Sequence, residues 1–80
     1  MDIKLKIGQR IKQLRKELEL SQEALAYEAE VDRTYMNHVE TGKRNISIAT
    51  LEKIVCNGLD TNFKEFFNDT LFNGKRRAQK

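Results

Sequence analysis

Eighty residues with a 39% hydrophobic share make one small domain, whose modest core leaves room for a partner subunit as an added stabiliser. A formal net charge of +3 and a pI near 9.2 permit nucleic acid or an anionic membrane as partner without choosing between them. The single cysteine, Cys56, excludes an intramolecular disulfide and a cysteine-built zinc site, and no run nears the roughly 20 apolar residues of a transmembrane helix.

The opening Met1-Asp2-Ile3-Lys4-Leu5-Lys6-Ile7 alternates apolar and charged residues and holds no secretory apolar region, so the expected location is a reducing cytoplasm. Ile7, Ile11, Leu14 and Leu18 then recur at helical spacing, with Arg10, Lys12, Arg15, Lys16 and Glu17 on the other faces. This predicts a first helix over about 7–19. Ser21 offers an N-cap hydroxyl, flanked by Leu20 before the cap and Leu25 at the fourth helical position, the pair that forms a hydrophobic staple. The same grammar returns at Asp32 with Val31 and Met36, and at Ser47 with Ile46 and Leu51. Helices are therefore predicted over about 22–29 and 33–41, the latter stopped by a left-handed Gly42.

A polar loop, Lys43-Arg44-Asn45, leads to a fourth helix over about 48–56. Ile48, Leu51, Ile54 and Val55 are expected inward, Cys56 is counted with the core, and Asn57-Gly58 is read as the stop. A fifth helix is expected from Asp60 or Thr61, carrying Phe63, Phe66 and Phe67 and reaching toward Leu71 and Phe72. Residues 1–74 form the domain in this reading, and residues 75–80 a polar tail. Its Lys75-Arg76-Arg77 run reads as solvated chain, with a DNA arm as the alternative. The expected architecture is all-α, a compact five-helix domain.

Only Glu30 and Val31 separate the second helix from the Asp32 cap, which forces a sharp turn between two short helices. Such a pair can place its second helix in a major groove. Met36 and Val39 would face the core, while Arg33, Thr34, Asn37 and His38 project away with groups able to bond base edges or phosphates. An ordinary surface role for His38 stands beside base contact. No Cys, Asp or Glu cluster accompanies it at ligand spacing, so no metal or cofactor is expected.

The runs Gly8-Gln9-Arg10-Ile11, Ser21-Gln22-Glu23-Ala24-Leu25-Ala26, Val31-Asp32-Arg33-Thr34-Tyr35 and Glu40-Thr41-Gly42-Lys43-Arg44-Asn45 resemble the phage repressor and Cro type of helix-turn-helix domain. This lambda-repressor-like likeness spans residues 7–67. Asp32-Arg33-Thr34-Tyr35 with Arg44-Asn45 is most similar to controller proteins of restriction-modification systems, small dimeric regulators of their own gene and the endonuclease gene.

The resemblance implies that Gln22 bonds a phosphate, that Arg33 and Thr34 reach bases, and that Asn37 and His38 lie further along the same face. It places Tyr35 at the groove edge, although Tyr35 could instead pack beside the first helix. Lys43, Arg44, Asn45 and Ser47 would hold the DNA backbone, and Arg15 and Glu40 match a family ion pair. The turn position taken by Glu30 is often Gly in the family; a left-handed Glu30 costs roughly 1–2 kcal/mol.

Phe63, Phe66, Phe67, Leu71 and Phe72 exceed what one small helix buries, so a two-fold dimer through this region is expected. A symmetric dimer requires a palindromic double-stranded operator with half-sites about 34 Å apart. RNA polymerase is a further expected partner. No catalytic set, phosphate cradle or paired carboxylates are visible, so an enzyme is not expected. The alternatives are a phage-type repressor, an antitoxin's DNA-binding half, or a protein-interaction module with no DNA target.

Overall fold

The computed structural model describes residues 2–73, and every regular element among them is helical. Asp2 opens α1 (Ile3–Glu17) by accepting the Lys4 and Leu5 backbone N–H groups at 2.7 and 3.4 Å. The helix thus begins earlier than its apolar spacing predicts, because a cap rather than an apolar stripe decides where a helix starts. It is followed by α2 (Gln22–Glu28), α3 (Arg33–Glu40) and α4 (Ile48–Glu52). The last runs directly into a π-helical segment, Lys53–Gly58. One-turn α5 (Phe63–Phe66) and a 3-10 turn (Thr70–Phe72) complete the described chain. The polar tail lies outside the described residues.

The three inner starts use the caps expected of them. Ser21 Oγ accepts the Ala24 N–H at 2.9 Å, an Asp32 oxygen accepts that of Tyr35 at 2.7 Å, and Ser47 Oγ accepts that of Thr50 at 3.0 Å. Leu25, Met36 and Leu51 are buried, and Val31 and Ile46 pack against the core beside them. Leu20, the remaining staple residue, is half-buried.

The stops are equally uniform. Bonds of the Schellman type run from Leu20 N–H to Arg15 C=O at 3.0 Å, from Val31 to Ala26 at 3.0 Å, and from Lys43 to His38 at 2.8 Å. The pivot residues are Glu19, Glu30 and Gly42, all left-handed, with φ of 58°, 62° and 77°. Only Gly42 adopts that conformation cheaply. Two exposed glutamates are therefore held there by the backbone bonds that close each turn.

Ile11, Leu25, Met36, Val39, Ile54, Val55 and Phe66 form the fully buried centre. Gly8 lets α1 approach the end of α3. A Cβ at Gly8 would lie 2.7 Å from the Glu40 carbonyl oxygen and against that of Val39.

Several expectations need correcting. Leu18 is 49% exposed because it is the C-cap of α1, where the chain is already leaving the helix. Ile48, 77% exposed, sits at the first position of α4 and projects outward. From Lys53 the helix widens to π geometry, which buries Ile54, Val55 and Gly58 and turns Cys56 outward. Asn57-Gly58 is not the stop. The π segment runs through both residues to Gly58, Leu59 is its C-cap with its N–H bonded to Ile54 C=O, and the left-handed residue that follows is Asp60, at φ 55°. The next helix accordingly starts later than predicted, with Asn62 as its cap, accepting the Glu65 N–H at 2.9 Å.

Candidate nucleic-acid interface

The cap at Asp32 fixes the rotation of α3, and burial of Met36 and Val39 fixes which side faces out. Arg33, Thr34 and Asn37 are exposed along the outer face, and His38 is half-buried at its far edge. Two shallow recesses flank the helix. One is lined by Gln22, Arg33, Thr34 and Asn37, the other by Asp32, Arg33, Thr34, Tyr35, His38 and Arg44. Arg33 and Thr34 belong to both, so they form the crest of a ridge (the profile a helix needs to enter a groove about 12 Å wide).

Beneath the ridge lies a carboxylate hub. Glu40 is buried, and Arg15 grips it through two parallel bonds, Nε to Oε2 at 2.7 Å and Nη2 to Oε1 at 3.0 Å. The third Arg15 donor reaches the Leu20 carbonyl at 2.9 Å. One guanidinium thus ties α1 to α3 and to the turn before α2. Planar two-point pairing of this kind is short, directional and charge-assisted. Gln22 Nε2 donates to Glu40 Oε1 at 3.2 Å, and Gln22 Oε1 accepts from Asn37 Nδ2 at 3.4 Å. The start of α2 and the outer face of α3 are thereby held through the same buried acid.

Tyr35 is partly buried rather than free at the surface. It packs against the core, and the Arg44 guanidinium lies over its ring, 4.7 Å from the centroid. That cation–π contact draws the loop after α3 toward the ridge. Lys43, Arg44 and Asn45 are exposed. Ser47 Oγ caps α4 and donates to Thr50 Oγ1 at 3.0 Å. Arg33, Lys43 and Arg44 together give this side a concentration of positive charge.

The C-terminal aromatic group divides. Phe66 is fully buried and belongs to the monomer's core, so it is not available as a surface. Phe63 and Phe72 are partly buried against that core, Leu71 is half-buried and Phe67 is 36% exposed. Phe67 meets Phe66 and Phe72 edge-on, with centroids 4.9 and 4.8 Å apart. Arg10, read from the sequence as a surface residue, is buried and bound to this segment. Nothing in the helical spacing separates it from the exposed basic residues around it.

Among the described residues no group of three or more His, Cys, Asp or Glu is placed to hold a metal ion. No helix among them is long and apolar enough to cross a membrane.

A capped second helix crossing behind an outward-facing third, with the basic loop beside it, defines a helix-turn-helix protein. A family model described as helix-turn-helix matches residues 11–57. The control protein C.MunI of Mycoplasma sp is 48% identical over 69 residues, spanning 85% of this chain and 92% of that protein. The controller C.AhdI of Aeromonas hydrophila has a solved structure matching with TM-score 0.75 and 41% identity, over 80% of this chain and 96% of that one. C.Esp1396I bound to a 25 base pair operator site matches with TM-score 0.80 and 36% identity, over 91% and 93%. The chain belongs to the helix-turn-helix family and, within it, to the restriction-modification controller proteins.

Proposed function

We propose that the chain regulates transcription by binding a palindromic DNA operator as a homodimer, with α3 of each protomer in the major groove. The observation that carries this is the exposed crest Arg33-Thr34 with Asn37, held rigid from below by the Arg15–Glu40 pair. In this reading Arg33 and Thr34 touch base edges, Asn37 and His38 extend the contact, and Tyr35, Lys43, Arg44, Asn45 and Ser47 hold phosphates, Ser47 by turning to the DNA the hydroxyl proton it gives Thr50 in the free chain. Gln22 has one amide proton left for a phosphate after bonding Glu40. The tripeptide Arg33-Thr34-Tyr35 adds support: structures of C.Esp1396I exist with an Arg, a Thr and a Tyr at three consecutive positions each replaced.

The half-exposed aromatics Phe63, Phe67 and Phe72, together with Leu71, supply the two-fold interface. C.Esp1396I is described as a tetramer in complex with its natural 35 base-pair operator. For this chain we take that as two dimers on adjacent sites, the first filled at low concentration and the second at high. RNA polymerase is the partner through which the first exerts its effect. The domain extends over 1–74, works in the cytoplasm and carries out no catalysis.

The test is binding to duplexes across a salt series. Affinity falls by orders of magnitude between about 50 and 200 mM salt if the basic side neutralises phosphates. Arg44→Ala reduces the slope of that dependence by about one unit. A flat response in the unaltered protein would favour a protein partner.

A further inference from the structure

The C-terminal segment is too short to hold itself. α5 is a single turn and the 3-10 turn is three residues long, and isolated helices of that length do not persist in water. Apolar packing fastens the pair to the body, through Phe66 buried in the core with Phe63 and Phe72 packed against it, and Arg10 of α1 supplies the polar fastening. Arg10 Nε donates to the Phe66 carbonyl at 2.7 Å and Nη2 donates to the Glu65 carbonyl at 3.0 Å. Nη1 donates to Asp69 Oδ2 at 3.2 Å and to Gln13 Oε1 at 3.0 Å. Asp69 is itself the cap of the 3-10 turn, its Oδ1 accepting the Leu71 N–H at 2.9 Å. One guanidinium therefore sets the orientation of α5 through its carbonyls and of Leu71 and Phe72 through their cap.

We infer that Arg10 is a positioning residue for operator recognition: it fixes the angle between the C-terminal aromatic surface and the ridge on α3, and so the separation of the two ridges in a dimer. This rests on the dimer reading above. Gly8 and Arg10 share α1, and α1 packs closely on α3 through Gly8, so the path from the aromatic surface to the ridge is short and rigid. Lysine is no substitute at this position. Its ammonium keeps the charge but lacks the planar fork that reaches two carbonyls and a carboxylate together.

The experiment uses the whole chain and a half-site selected from a pool of random duplexes. Synthetic palindromes of that half-site are then made with the native spacing and with one or two base pairs inserted or removed. The unaltered protein loses at least about tenfold in affinity for each step away from the optimum, since each step rotates one half-site relative to the other. Arg10→Lys flattens that dependence to about threefold or less while affinity for an isolated half-site stays within about twofold. Asp69→Asn, which keeps the turn's cap oxygen, shifts it the same way by a smaller amount and guards against a variant that fails to fold. An Arg10→Lys or Asp69→Asn protein that melts earlier but keeps the sharp spacing optimum overturns the proposal and leaves Arg10 a purely structural residue. If the unaltered protein shows no spacing optimum, the dimer reading fails first.

Discussion

Two arginines of α1 fasten different parts of the chain, and they do so with different chemistry. Arg15 meets a buried carboxylate and closes the reading half, α1 to α3, as a charge pair whose side chains are 11% and 2% exposed. Arg10 meets two backbone carbonyls and the Gln13 amide oxygen, with a partly exposed Asp69 as its counter-charge, and holds a segment with little structure of its own. Removing one partner of the first pair strands a charge in the core. Removing the second arginine instead frees a surface. The reading half thus depends on the pair for its stability, and the C-terminal part depends on Arg10 for its orientation.

The sharpest way to break this contrast is Arg15→Met. It leaves Glu40 buried with only Gln22 beside it, and urea denaturation should show a loss of about 3–5 kcal/mol. Adding Glu40→Leu should recover most of that loss, because no charge is then stranded. A double variant no more stable than the single one would mean that the pair does not pin the reading half. Gly8→Ala probes the same half through shape. The gain in helix propensity is at most about 1 kcal/mol, whereas the new methyl collides with backbone that cannot swing away, so a net loss of about 1–3 kcal/mol is expected. A stabilised Gly8→Ala protein would show that α1 and α3 have room between them for a methyl group.

Glu30→Gly is the smallest effect and has the opposite sign. Relief of a left-handed non-glycine residue should raise stability by about 1 kcal/mol in a thermal melt. The substitution also removes the Glu30–Lys53 ion pair, but that pair is 3.6 Å long and lies between exposed side chains, so its removal offsets little. An unchanged or lower melting temperature would place the strain elsewhere.

The same contrast explains what is legible in the chain. Ser21, Asp32 and Ser47 announce their helices because a cap and a staple are local signals, written within a few residues of the turn they shape. The outward face of α3 follows from them. Arg10 carries no such mark, since its partners Glu65, Phe66 and Asp69 are distant in sequence and two of the bonds are to carbonyls that any residue would offer. Cys56 is misassigned to the core by spacing because a widened helix changes the interval at which buried positions recur. Phe66 and Phe67 are neighbours of one chemical type, and only the packed core decides that the first goes in and the second stays near the surface. The pairing of Arg15 with Glu40 is legible only through family likeness, not from spacing.

The most direct test of the reading ridge is a specificity profile of Arg33→Ala, measured as affinity for every single-base change across the selected half-site. If the crest of α3 reads bases, discrimination falls by about 1–3 kcal/mol at one base pair in each half-site and is unchanged elsewhere. Uniform weakening on all sequences would contradict this, making Arg33 a phosphate contact and moving sequence reading off the crest of α3.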